Sequence, residues 1–292
     1  MILLEGAPAL SPFRRDRLQA RLNAIVPRLR RRGGNFGPAK VGLWAPPIAL
    51  LAALIGGAYL LNALLGQRSF LLPAPHVVFE KLIDPKTGPD IFEALLNTAV
   101  VSLAGLVIAI AIGIVWAIGM TQAKWVERTT FPYAVILQSI PILAVVPLIG
   151  FWFGYDFFAR VVVCVLIALF PMVSNTLFGL QSVDRSHREL FKLQGASRWT
   201  ILTKLELPAA MPAIFAGMRI SAGLSVVGAI VGDFFFQRGT PGIGALIAKF
   251  GARLNSAELF ASILVASLFG VVIFLLFGWI GRRAVGKWYD FG

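Results

Sequence analysis

Six stretches of this chain are too long and too apolar for the interior of a water-soluble domain. They fall at residues 43–65, 95–120, 131–153, 160–180, 213–232 and 259–281. Each is close to the roughly 20 residues that cross a bilayer as a helix. None alternates polar and apolar residues with period two, which excludes a transmembrane barrel. Lipid cannot hydrogen-bond an open backbone, so each run is expected to be a helix. The expected fold is all-α, a polytopic membrane protein with six transmembrane helices. Composition agrees: 58% of residues are hydrophobic and 14% are charged, against about 45–50% and about 25% in soluble domains.

The net charge of +13 does not indicate nucleic acid. Lys and Arg gather at the ends of the runs, not in a stripe among aromatic side chains. Nineteen of the 27 Lys and Arg lie on the side that carries the N-terminus. That asymmetry predicts a multi-pass protein with both termini in the cytoplasm. Residues 1–40 form a basic arm, with Arg14, Arg15, Arg17, Arg21, Arg28, Arg30, Arg31, Arg32 and Lys40. Its long basic part, with no prompt apolar core, does not fit a signal peptide. Phe13, Leu18, Leu22, Ile25 and Leu29 recur at helical spacing. A surface helix on anionic headgroups and partial disorder both fit residues 13–30. Gly33, Gly34, Gly37 and Pro38 then break the chain before the transmembrane domain, residues 41–292.

Between the fourth and fifth runs lies a polar loop, residues 184–208. Its core, 189–208, reads ELFKLQGASRWTILTKLELP. Two short helices meeting at Gly195 fit it, with glycine supplying a turn through positive φ and room for close approach. Pro208 is expected to stop the second and open the next helix, where a missing N–H costs nothing.

The spacing resembles the EAA loop of binding-protein-dependent ABC importer permeases: E-A-A, three residues, G, nine residues, I-x-L-P. Glu189, Gly195, Leu205, Leu207 and Pro208 fall in register, with Leu190 and Phe191 replacing the alanines and Leu205 the isoleucine. The resemblance runs from about Asn97 to the C-terminus. It is closest to the nitrate, sulfonate, bicarbonate and thiamine-precursor branch, the taurine type. It implies the type I importer permease fold in a bacterial inner membrane. It also implies that Glu189, Leu190, Phe191, Gly195, Ala196, Leu205, Leu207 and Pro208 couple to an ATPase. The implied partners are a second permease copy, two cytoplasmic ATPase subunits and an extracytoplasmic binding protein. No cofactor is expected in this chain; ATP and Mg belong to the ATPase.

Polar residues inside the runs nominate a substrate pathway. Gln138, Ser139 and Pro141 sit in the third run, where a proline kinks the helix. Asn175 lies in the fourth, and intramembrane polar groups usually face the bundle interior. Ser221 and Ser225 follow in the fifth. That run ends GAIVGDFFF, which puts Asp233 at the outer edge beside Phe234, Phe235 and Phe236. Each also has a structural reading: a packing kink, an interhelical hydrogen bond, or an interfacial aromatic belt. Arg219 is expected to snorkel or to bond a carbonyl, the alternative being substrate. Gly105 and Gly113 are expected to admit a neighbouring helix.

No catalytic or metal constellation is present. His76 and His187 fall on opposite sides, no Walker A motif occurs, and Cys164 is the only cysteine. The expected function is transport, not catalysis. The GAIVGDF run resembles permeases for thiamine-precursor pyrimidines or riboflavin more than the sulfonate relatives, and flat heterocycles suit aromatic-lined paths. The alternatives are a small anion (taurine, alkanesulfonate, nitrate, bicarbonate) and, in another class, a non-transporting assembly protein.

Overall fold

The computed structural model describes residues 45–64 and 71–286, and every regular element among them is helical. The arm of residues 1–40, the 13–30 helix, Arg68 and Lys287 lie outside the described residues. The chain divides into units 1–57 and 58–292. The described part of the first is the opening of α1 (Ala45–Leu64), which carries Pro46 and Pro47 in its first turn. Proline is tolerated there because those N–H groups have no intrahelical partner.

The second unit is built on three long helices: α3 (Thr87–Gln122), α6 (Phe157–Gln181) and α9 (Leu207–Phe235). α6 packs along both α3 and α9, and α11 (Ser256–Val285) packs on α9. In lipid, apolar burial does not drive helices together; small residues that let backbones approach do. A Cβ on Gly105 or Gly113 of α3 would collide with Cys164 or Met172 of α6, and one on Gly228 of α9 would lie 2.8 Å from the Cys164 Cα. Cys164 is fully buried in this seam, as its apolar setting predicts. Both predicted close approaches on α3 are therefore present.

Among the described residues, four helices are long and apolar enough to cross a membrane: α3, α6, α11 and the continuous stretch Arg198–Phe235. A fifth crossing requires α4 (Lys124–Ser139) and α5 (Ile142–Phe153) together, and these meet at 100°. The first expected run, 43–65, is α1, whose apolar part, Ile48–Leu64, is shorter than these. The count of six is thus approximate.

The expected kink in the third run is a break. Pro141 has no N–H, and it drives Ile140 into an extended conformation, φ −66° and ψ 126°. By contrast Pro132, Pro147, Pro171 and Pro212 stay inside helices.

A cap closes the end away from the 184–208 loop. It holds α2 (Pro75–Ile83) and α10 (Ile243–Ala252). Val78 of α2 packs with Ile91, Ile243, Leu246 and Phe250. Lys81 lies 2.9 Å from Glu258 at the start of α11. That hydrogen-bonded carboxylate raises the Lys81 pKa above its ordinary value. Thr87 donates to Asp84, which lowers the Asp84 pKa. α10 lies between the fifth and sixth predicted runs, where Ile243, Leu246, Ile247 and Phe250 carry helical spacing.

Candidate functional site

The 184–208 loop folds as two helices meeting at Gly195, as its spacing predicts: α7 (Arg185–Leu193) and α8 (Arg198–Ile201). Gly195 has φ +73°. Its N–H bonds Lys192 O at 2.9 Å and the Ala196 N–H bonds Phe191 O at 3.0 Å. This is a Schellman stop, which favours glycine at the left-handed position. Ser197 then caps α8 by accepting from the Thr200 N–H. Pro208 does not end the second helix. A π-helical turn over Leu202–Glu206 precedes it, with the Leu207 N–H bonding Leu202 O five residues back. A wider turn relieves the clash of a proline ring with the preceding turn, so the helix runs on.

α7 has no buried residue; Leu190 and Leu193 are exposed, and so is Trp199 of α8. Glu189 and Pro208 are also exposed, while Phe191, Ala196, Leu205 and Leu207 are half-buried. The loop's base is fixed by Arg188, 3.0 Å from Glu206 and donating to Leu180 O, and by Arg198 donating to Gln122 O. The result is a rigidly based, amphipathic projection with an open apolar face.

Behind the break at Pro141 lies a cleft of about 710 Å³ between the α4–α5 elbow, α6 and α9. Gln138, Ser174 and Asn175 are its polar residues; its other walls include Ile140, Phe170, Ile220 and Leu224. No lining residue is charged. Asn175 donates its amide N–H to Pro171 O at 2.8 Å, which leaves its side-chain oxygen free to accept. Pro171 has no N–H, so the Ile167 carbonyl loses its helical partner beside the same cleft. Ser139 and Pro141 lie exposed at the elbow, with Ser139 bonded back to Val135 O.

Five predicted pathway residues lie elsewhere. Ser221 is buried and donates across to Ala168 O of α6 at 2.7 Å. Ser225 is buried and bonds Ala222 O of its own helix. Both belong to the stripe Gly217, Ser221, Ser225, Gly228 and Gly232, the face by which α9 packs on α6. Asp233 is fully buried rather than exposed at an outer edge. Its carboxylate meets Arg160 Nη1 at 3.2 Å and accepts from the Thr98 hydroxyl at 2.6 Å. Phe234 and Phe235 remain exposed and meet edge to face, whereas Phe236 is buried against α5 and α6.

Sequence reading missed this buried network. Arg160 opens the predicted run 160–180, where a cation is expected at the membrane edge, yet it is 2% exposed. Its guanidinium also donates to Thr240 O and Arg238 O. Thr98 accepts the Ile243 N–H, and Asn97 donates to Pro241 O. Gly242 lies so close to the carboxylate that a Cβ would overlap it. The loop 238–244 is therefore pinned onto the ends of α3, α6 and α9. The available signal was two opposite charges, each at a predicted span end.

A helical membrane bundle with an amphipathic projection at one end and an uncharged cleft behind a broken helix has the build of a membrane permease. Residues 109–286 match the family described as the binding-protein-dependent transport system inner membrane component. The chain belongs to this family of ABC importer permeases. It is 32% identical over 211 residues to the formylaminopyrimidine transport permease protein ThiX of Halalkalibacterium halodurans, covering 72% of this chain and 83% of ThiX. It is 30% identical to the riboflavin transport system permease protein RibX of Chloroflexus aurantiacus, covering 76% and 82%. It is 26% identical to the putative aliphatic sulfonates transport permease protein SsuC of Bacillus subtilis, covering 78% and 82%. Among solved structures, the inward-facing MetNI methionine ABC transporter aligns with a TM-score of 0.53 at 20% identity, over 69% of this chain and 95% of that one. At that identity the likeness is one of fold.

Proposed function

We propose that this permease carries a small, uncharged aromatic heterocycle of the vitamin-precursor class, a pyrimidine precursor or riboflavin. The observation that carries the reading is the cleft itself: apolar walls, two amide side chains, and no charged lining residue. Amides pair with the ring N–H and carbonyl groups of such a solute, and Phe170 offers stacking area. The likeness to ThiX and RibX points the same way. The likeness to SsuC supports a second reading, a sulfonate, bound by N–H and hydroxyl donors.

In this reading the chain pairs with a second copy, and a binding protein delivers solute from outside. Two ATPase subunits dock on α7 and α8 at the cytoplasmic face, where both termini lie. Hydrolysis of ATP with Mg takes place in those subunits. The domain division in this reading is a basic arm, residues 1–40, followed by the transmembrane domain, residues 41–292. ATP-driven motion can favour one facing of the cleft only by binding the loop differently in the two states.

The test is uptake into liposomes by the reconstituted transporter, comparing labelled pyrimidine precursor, riboflavin, taurine and nitrate. The heterocycle reading expects uptake of one of the first two, lowered several-fold by Asn175→Leu and Gln138→Leu. Uptake of an anion alone, unchanged by both variants, would overturn it.

A further inference from the structure

A second cleft lies between α9 and α11, away from the Pro141 elbow. Its volume is about 490 Å³, and Arg219 and Arg282 both line it. Arg219 sits 12 residues into the continuous part of α9, in the apolar length of the helix. Its guanidinium lies 4.0 Å over the Phe274 ring. Gly278 makes room for it: a Cβ there would stand 3.0 Å from Arg219 Nε. That Nε is buried and makes no hydrogen bond. Among the described residues no carboxylate pairs with Arg219. A ring face attracts the cation but accepts none of its N–H bonds in the geometry a guanidinium prefers. A cation at this depth normally has an anionic or carbonyl partner.

The cleft does not end at Phe274. An apolar groove of about 540 Å³ continues from that same ring along α9 and α11. Gly223 and Gly270 open its floor; a Cβ on either would meet only a side chain, at 3.8 Å. Its hydroxyl, Ser267, is already spent on Ile263 O. From Phe274 to Ile263 the groove follows α11 for 11 residues, about 16 Å at ~1.5 Å per residue. That is close to half of the ~30 Å hydrocarbon thickness, the depth of one leaflet. At the other end, Arg283 lies 5.0 Å from the Trp279 ring. Tryptophan beside arginine at a helix end marks headgroup level.

We propose that this composite cleft is a binding site for an anionic phospholipid. The phosphate meets Arg219 and Arg282, and one acyl chain lies in the Gly223–Gly270 groove. Neither half alone selects such a ligand. A soluble anion has no use for the groove, and a zwitterionic lipid gains less from two guanidiniums. On the orientation proposed above, the headgroup end opens to the cytoplasmic leaflet, where basic pockets between helices meet acidic lipid. The site shares only Ile220 and Val227 of α9 with the lining of the solute cleft, and the proposal does not depend on the substrate.

Native mass spectrometry of the full-length permease tests this, with phosphatidylglycerol and phosphatidylcholine of identical chains added at equal concentration. The expected result is a roughly tenfold preference for phosphatidylglycerol at the tightest site. Arg219→Gln with Arg282→Gln should abolish the preference and leave weak binding of both lipids. Arg219→Lys with Arg282→Lys, which keeps the charge, should retain most of it. Gly270→Leu should reduce both lipids together, since it fills the groove and leaves the guanidiniums. Three results would overturn the proposal. One is an unchanged preference in the glutamine pair. Another is displacement of bound lipid by equimolar glycerol 3-phosphate, which would mark a free-anion site. The third is efficient disulfide dimerisation of Phe274→Cys, made in a Cys164→Ala background, which would show that a second copy covers this face. The readout is bound lipid, so a failed orientation or a failed substrate reading leaves these results interpretable.

Discussion

Arg160→Met should cost about 3–5 kcal/mol of stability, the usual penalty for stranding one partner of a buried ion pair. The structure supports the full range, because the side chains of Arg160 and Asp233 are 3% and 0% exposed. Without Arg160 the carboxylate keeps the Thr98 hydroxyl but loses its counter-charge. Asp233→Asn should cost less, about 1.5–3 kcal/mol, the range for a hydrogen bond to a charged group. Its amide oxygen can still accept from Thr98, and the guanidinium keeps the Thr240 and Arg238 carbonyls. Combining Arg160→Met with Asp233→Leu removes both charges, so the pair should be no less stable than Arg160→Met alone. The assay follows from Cys164, the only cysteine, which is fully buried beside Gly105 and Gly228. Its rate of modification by a fluorogenic maleimide, in detergent across a temperature ramp, reports opening of the α3–α6–α9 seam. Losses that simply add in the double variant would refute the coupling of the two charges. A wild-type melting curve for Arg160→Met would refute the buried pair outright.

Gly195→Asp should abolish substrate-driven transport with the protein still in the membrane, since it strains a left-handed turn and puts a charge on the proposed docking surface; normal transport by the assembled variant would remove the coupling role from the loop. Gly228→Ala should cost about 1–3 kcal/mol by overpacking, because its Cβ meets the Cys164 backbone rather than a movable side chain; an unshifted Cys164 labelling curve would count against the seam. In a Cys164→Ala background, Lys86→Cys and Asn255→Cys should react with an impermeant maleimide from outside intact spheroplasts and Arg198→Cys should not. External labelling at position 198 would reverse the proposed orientation.

Long apolar runs made the main helices legible, because lipid leaves an apolar backbone no alternative to helix. The loop was legible for a different reason: Gly195 occupies the one position in a Schellman stop where other residues pay strain. Ser221 and Ser225 were not separable from pathway residues by type. A small polar residue in a membrane helix serves packing or passage depending only on which side it faces. The structure puts Ser221 and Ser225 on the α6 side and Ile220, Leu224, Val227 and Val231 on the cleft side. The Arg160–Asp233 pair joins residues 73 apart in sequence, and no local pattern encodes a pairing of that span. Proline was ambiguous in the same way. Pro141 breaks its helix, whereas Pro208 follows a π turn and its helix runs on.

That difference between the two prolines bears on how motion travels through the molecule. Arg198–Phe235 is continuous over 38 residues, a rod of about 57 Å at ~1.5 Å per residue. Its first turns hold Arg198 and Leu205 in the loop. Its middle carries the cleft wall at Ile220, Leu224 and Val227. Its last turn carries Asp233, locked to Arg160 and beneath the pinned loop 238–244. A packed helix moves as a unit, since its interior transmits strain rather than absorbing it. On the proposed docking, a push on the loop would tilt the cleft wall and load the Arg160–Asp233 pair together. The opposite wall, the α4–α5 elbow, is interrupted at Ile140–Pro141, which gives it a joint beside the cleft. With one continuous wall and one jointed wall, the cleft would change its opening at the elbow without unpacking the α3–α6–α9 seam.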